Sequence, residues 1–240
     1  MKNIVFIYGV YHGTWCWDEK FLRVFKDKGY TTHCPDLRIV SKEEKQDTLL
    51  QSYVENLFRL VKKIGNRTVL VVHSAYSIVV FEYLKKYPNT VGAVIFISPF
   101  PVRLEFLRAL NSGIRQLRLG LRSVLFSNRL SDHMADEYLQ KLYAEESGFT
   151  IETSRNHWNK KKKIPVIALF IGSNNDNCIK ANWVKETAKR LGCSCIIYND
   201  ICHNMMLDPS AQEVARDMVH FIENIKGKEI NNYGETRTVC

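Results

Sequence analysis

Short apolar runs alternate with amphipathic helical patterns along almost the whole chain, and this alternation constrains the fold more than any other feature. Six runs read as strands: Ile4–Tyr8, Thr31–Cys34, Thr68–Val72, Val91–Ser98, Ile164–Ile171 and Cys195–Tyr198. Helical patterns separate them over Asp18–Lys28, over a segment carrying Leu49, Leu50, Tyr53, Val54, Leu57, Phe58 and Leu60, from Ser74 to about Tyr87, and over Lys180–Leu191. A last helix is expected over Pro209–Ile225. Ser41, with Glu44 three residues on, reads as a capping box for the second of these helices. Strand and helix in turn predict an α/β fold: a mostly parallel six-stranded sheet, helices on both faces, right-handed crossovers. With 240 residues, 45% of them hydrophobic, one full core can form without metal or disulfide support.

Between Phe100 and Lys163 the β runs stop while helical patterns continue. Residues 1–100 and 164–225 therefore read as one core, 101–163 as a helical insertion, and 226–240 as a flexible polar tail. The insertion also concentrates charge. The whole chain has 34 basic and 25 acidic residues, a net of +9. Between positions 102 and 130, Arg103, Arg108, Arg115, Arg118, Arg122 and Arg129 face the single acid Glu105. Ile114, Leu117, Leu121 and Val124 recur at helical spacing, with Arg115, Arg118 and Arg122 one position along as a basic stripe. That stripe suits an anionic carrier or anionic surface, or is simply solvated; both readings stay open. Lys160–Lys163 reads as a solvated loop. No nucleic-acid reading motif accompanies the charge, so a nucleic-acid partner is not expected.

Seven cysteines in scattered positions offer neither a disulfide framework nor zinc-ligand spacing, and no His/Cys/Asp/Glu pattern calls for a metal. Free thiols, a first apolar run too short for a signal peptide and no long apolar span lead us to expect a cytoplasmic protein without a transmembrane segment.

Three polar residues fall where strands end. Ser74 follows the β-branched run Thr68–Val72 and opens a helix, so its hydroxyl is placed at the carboxyl edge of a parallel sheet, where ligands bind. Taken alone it is equally a helix cap. Asp176 lies just past the fifth strand and His203 just past the sixth, at the same edge. A serine nucleophile needs a base and a carboxylate that holds that base. Asn175 competes for the acid position, and Asp176 is favoured because an amide would not balance an imidazolium.

The order Ser, Asp, His, together with three stretches, resembles the α/β-hydrolase superfamily, in its small esterase and hydroxynitrile-lyase branch. Those stretches are Tyr8-Gly9-Val10-Tyr11-His12-Gly13-Thr14-Trp15-Cys16-Trp17, Val72-His73-Ser74-Ala75-Tyr76, and Cys202-His203-Asn204-Met205-Met206-Leu207-Asp208-Pro209. The resemblance implies that the insertion is a cap over the serine and that the Val10 and Ala75 N–H groups form an oxyanion hole. Tyr11, Trp15 and Met205 are candidate substrate-pocket residues, and so is Tyr76, whose ring either reaches the pocket or must find room where the pattern has only glycine. His12 and His73 are expected to position their neighbours rather than act as bases. The chain departs from the superfamily pattern at Val72 and Tyr76, where glycines flank the serine, and at Tyr8, where histidine is usual.

The expected activity is hydrolysis of a carboxylic ester or thioester through an acyl-enzyme, with no cofactor. The substrate would be a small molecule, or an acyl group on coenzyme A or an acyl carrier protein. Two other classes remain open: a binding protein that kept the fold without turnover, and a hydroxynitrile-lyase-like lyase.

Overall fold

The computed structural model describes residues 1–38, 48–65, 67–100, 120–142, 163–227 and 238–239. Six strands pair in parallel in the order β2-β1-β3-β4-β5-β6. They are β1 (Asn3–Ile7), β2 (Thr31–His33), β3 (Thr68–His73), β4 (Val91–Ile97), β5 (Ile167–Ser173) and β6 (Ser194–Tyr198). A seventh, β7 (Thr238–Val239), adds antiparallel to β6, so two residues of the expected tail extend the sheet. The fifth strand starts later than its apolar run suggested. Pro165 lacks the N–H a ladder needs, and pairing begins two residues beyond it.

The helices are α1 (Glu19–Lys26), α2 (Leu49–Ile64), α3 (Ser77–Lys86), α4 (Asp132–Gln140), α5 (Ala181–Leu191) and α6 (Ala211–Gly227). Every residue of β3 is buried, and all but one of β4, because helices cover both faces. On those faces α1 packs with α6 and α2 with α3. Thr48 caps α2, its hydroxyl accepting from the Gln51 N–H at 3.2 Å. The Ser41–Glu44 box predicted for that role lies outside the described residues. So do Arg115, Arg118 and the flanks of the insertion, whereas its middle, 120–142, is helical over 120–125 and again in α4.

The sheet order places the site. From β1 the chain crosses outward to β2, then returns to the other side of β1 as β3. Crossovers leave β1 and β3 in opposite directions, and the crevice between their carboxyl ends is where an open parallel sheet receives ligands. Ile7 lies opposite Val72, so the Gly9 turn and Ser74 emerge side by side. Among the described residues, no helix is long and apolar enough to cross a membrane.

Candidate active site

β3 delivers Ser74 into a one-turn 3-10 helix, Ser74–Tyr76, that runs directly into α3. Ser74 takes φ +55°, a left-handed value that is uncommon outside glycine. Such strain marks a sharp strand-to-helix turn that thrusts a side chain outward. Gly9 makes the close approach possible. A Cβ there would stand 2.8 Å from His73 Nδ1 and 3.0 Å from Ser74 Cβ. Chain passes chain at that point with no room for a methyl group.

The departures from the superfamily's turn are absorbed in the core. Val72 sits within β3 with no exposed surface. The Tyr76 ring turns inward, also with none, and stacks on Tyr53 at 5.7 Å and 13°. It meets Tyr8 at 5.7 Å. Two positions that differ from the superfamily pattern therefore pack on each other. The Tyr8 hydroxyl donates to Asp36, and Arg38 grips the same carboxylate with Nε at 2.9 Å and NH2 at 2.6 Å. Although partial burial opposes ionisation of Asp36, these bonds hold its pKa at about 2. Tyr76, expected at the pocket wall, lies instead beneath the turn as a core residue.

His203 approaches from the loop after β6. Its Nε2 is 3.2 Å from Ser74 Oγ, and its Nδ1–H donates to Asp176 Oδ2 at 2.9 Å. The other oxygen of Asp176 accepts two backbone N–H groups, from Cys178 at 2.7 Å and Ile179 at 2.8 Å. These bonds hold the Asp176 carboxyl in one orientation. Neighbouring Asn175 is exposed and donates to Asp200 O at 3.3 Å, so it is Asp176 that meets His203. Ser74, His203 and Asp176 are exposed by only 6%, 2% and 1%, so charges within the chain are poorly screened by water. Burial works against the imidazolium, and the Asp176 carboxylate together with neighbouring Cys178 more than offsets it, raising the His203 pKa well above 6.5.

Two further histidines stay neutral. His12 donates through Nδ1 to Val10 O at 2.8 Å, fixing the turn after β1, and burial lowers its pKa to about 4. Burial and the neighbouring His203 and His12 likewise keep His73 uncharged, and its Nε2–H donates to His203 O at 3.2 Å. Each bonds a backbone carbonyl beside the site.

A family model described as serine hydrolase matches residues 28–208. The chain belongs to the serine hydrolase family. Among curated proteins, this serine hydrolase is 25% identical over 125 residues to methyl jasmonate esterase 1 of Vitis vinifera, covering 50% of the chain and 48% of that protein. It is 27% identical over 107 residues to methylesterase 7 of Arabidopsis thaliana, covering 41% and 40%. The matches thus span less than half the length of either relative. Among solved structures, polyneuridine aldehyde esterase superposes with TM-score 0.73 at 16% identity, covering 92% of the chain and 98% of its own. An esterase of Thermogutta terrifontis superposes with TM-score 0.73 at 12% identity, covering 94% and 90%. The fold is the α/β-hydrolase fold.

The remaining candidates of this serine hydrolase spread around the Gly9 turn. Tyr11 is 47% exposed and takes φ +66°. Trp15 lies between His12 at 5.5 Å and Tyr138 of α4 at 5.9 Å, both stacked, so α4 rests on this turn. Met205 has no exposed surface and belongs to a 3-10 turn, Met205–Leu207, that stiffens the histidine loop. Ala75 follows Ser74 directly, and Val10 follows Gly9, where a Cβ would stand 3.0 Å from Ser74 Cβ. Arg122 is not free for an anionic partner: it donates to Ser127 O at 3.1 Å and Leu130 O at 2.9 Å. Sequence reasoning missed Arg129 and Asp208, which are hydrogen-bonded at 2.6 Å. Asp208 stands just before Pro209 at the entrance to α6, a capping context that could have drawn attention to it.

Proposed function

We propose that this protein hydrolyses a small neutral carboxylic ester through an acyl-enzyme on Ser74. The continuous chain Ser74 Oγ, His203, Asp176, at 3.2 Å and 2.9 Å, carries the reading. In the productive state the His203 ring is neutral, with its proton on Nδ1 facing Asp176. Ser74 Oγ attacks the ester carbonyl carbon as its proton passes to His203 Nε2. The tetrahedral oxyanion is held by the Val10 and Ala75 N–H groups, each such donor worth about 3–4 kcal/mol. Collapse breaks the bond to the leaving alcohol, which takes the proton from Nε2. Water then repeats the sequence on the acyl-enzyme, releasing the acid and restoring Ser74.

The names of the curated relatives, a methyl jasmonate esterase and methylesterases, support a methyl ester of a small carboxylic acid as the substrate class. A neutral ester also agrees with the bonding of Arg122 and Arg129 within the protein, which draws two arginines away from a carrier-binding surface. Thioesters on coenzyme A or acyl carrier protein are the less favoured substrates. The test is a panel of methyl esters, p-nitrophenyl esters, acyl-coenzyme A thioesters and cyanohydrins, run with wild type and Ser74→Ala. Turnover of methyl and p-nitrophenyl esters that disappears in Ser74→Ala is the expected outcome. Turnover confined to thioesters or cyanohydrins would replace this reading with the carrier-linked or the lyase one.

A further inference from the structure

The middle of the insertion is bonded to both loops that carry the site. Asn177, next to Asp176, donates its amide to Ser123 O at 2.9 Å. Asn204, next to His203, donates its backbone N–H to Leu125 O at 3.1 Å. Arg122 closes the turn that follows by binding Ser127 O and Leu130 O. Arg129 then reaches back to the histidine loop. One nitrogen lies 3.0 Å from Asp200 Oδ2, and another donates to Asp208 Oδ1 at 2.6 Å and to Ser210 Oγ at 3.2 Å.

Asp200 and Asp208 bracket His203 in the chain, so one guanidinium ties the two ends of its loop together. The Asp208 side chain has no exposed surface. It also accepts from the backbone N–H groups of Ser210 at 3.0 Å and Cys202 at 3.4 Å, the latter next to His203. A buried carboxylate is tolerated only with such partners, and withdrawal of its cation leaves an uncompensated charge. The loop must then rearrange or take in water. A planar guanidinium, whose donors diverge in a fixed fork, can serve both carboxylates together, whereas an ammonium is a single point charge.

We infer that Arg129 is a positioning residue: by clamping Asp200 and Asp208 it fixes the histidine loop, so that seating of the insertion and alignment of His203 with Ser74 and Asp176 are one event. The inference rests on the hydrolase reading above. Arg129 touches no reacting atom; it acts through His203. Its loss should therefore lower kcat and leave KM nearly unchanged, since proton transfer depends on sub-ångström placement of the imidazole. Misplacement on the scale of 1 Å costs up to about a hundred-fold in rate.

The experiment compares wild type, Arg129→Ala, Arg129→Lys, Asp200→Asn and Lys141→Ala. The last breaks an exposed pair with Glu137 in the same insertion and serves as the control. Readouts are kcat and KM on a p-nitrophenyl ester, unfolding temperature, and the NMR resonance of the His203 Nδ1 proton. For Arg129→Ala we expect kcat down about ten- to a hundred-fold with KM little changed, and a shifted or broadened resonance. Arg129→Lys should recover part of the rate, Asp200→Asn should cause a smaller loss without unfolding, and Lys141→Ala should behave as wild type. Wild-type kcat and an unmoved resonance in Arg129→Ala would overturn the inference. If Arg129→Ala does not fold, wild-type behaviour of both Arg129→Lys and Asp200→Asn would overturn it equally. Should the wild type itself turn over no ester, the hydrolase reading fails, and the resonance still decides the positioning role.

Discussion

Replacing Tyr76 with glycine restores the superfamily's usual residue two positions after the serine, and here it should damage the protein. Tyr76 has no exposed surface and packs between Tyr53 and Tyr8. A buried tyrosine removes roughly 150–200 Å² from water. At about 25 cal/mol per Å² that is roughly 4–5 kcal/mol. The figure agrees with the ~3–5 kcal/mol measured for emptying an aromatic site in a core. In a chain of this size, each kcal/mol lowers the unfolding temperature by about 2–4 °C, so Tyr76→Gly should unfold roughly 8–20 °C earlier. Urea and thermal denaturation followed by circular dichroism supply the measurement. A double-mutant cycle with Tyr8→Leu, which removes the facing ring, should show coupling of about 0.5–1.5 kcal/mol between these two positions. A loss below about 1 kcal/mol would refute the reasoning, because it would mean that the tyrosine fills no space the fold depends on.

Asp176→Asn should cut kcat by about 10⁴-fold by removing the carboxylate that orients and charge-balances His203, while Asn175→Ala should stay near wild type; steady-state kinetics on one ester separates the two. The base form of His203 is the active one, and Asp176 raises its pKa above 6.5. The rising limb of kcat/KM against pH should therefore lie above that value in wild type. It should move to lower pH in Asp176→Asn, where burial loses its main opponent. Gly9→Ala should cost about 1–3 kcal/mol of stability and slow acylation, because its methyl group would meet His73 Nδ1 at 2.8 Å; denaturation and stopped-flow burst kinetics are the checks.

The fold could be read from the order of local patterns because each parallel strand is buried on both faces and so leaves a continuous apolar run. The residues of the site were legible for a related reason. Ser74, Asp176 and His203 each lie just beyond such a run, and a parallel sheet brings those ends to one edge. What stayed hidden depends on partners far along the chain. Tyr76 looked like a pocket residue beside the serine until Tyr53 and Tyr8 were seen to receive its ring. Arg129 looked like one more cation in a basic stretch, and only its bond to Asp208, 79 residues on, gives it a role. Local signals also competed: Ser41 and Glu44 have capping-box spacing, yet Thr48, immediately before the apolar run, caps α2.

The central claim is that Ser74 is an activated nucleophile. Its most direct test is reaction of the full chain with a fluorophosphonate, the site of attachment being mapped by peptide mass spectrometry. One adduct per chain is expected, on Ser74, abolished in Ser74→Ala and slowed in both His203→Ala and Asp176→Asn. A wild-type chain that forms no adduct, or forms one on a residue other than Ser74, would contradict it.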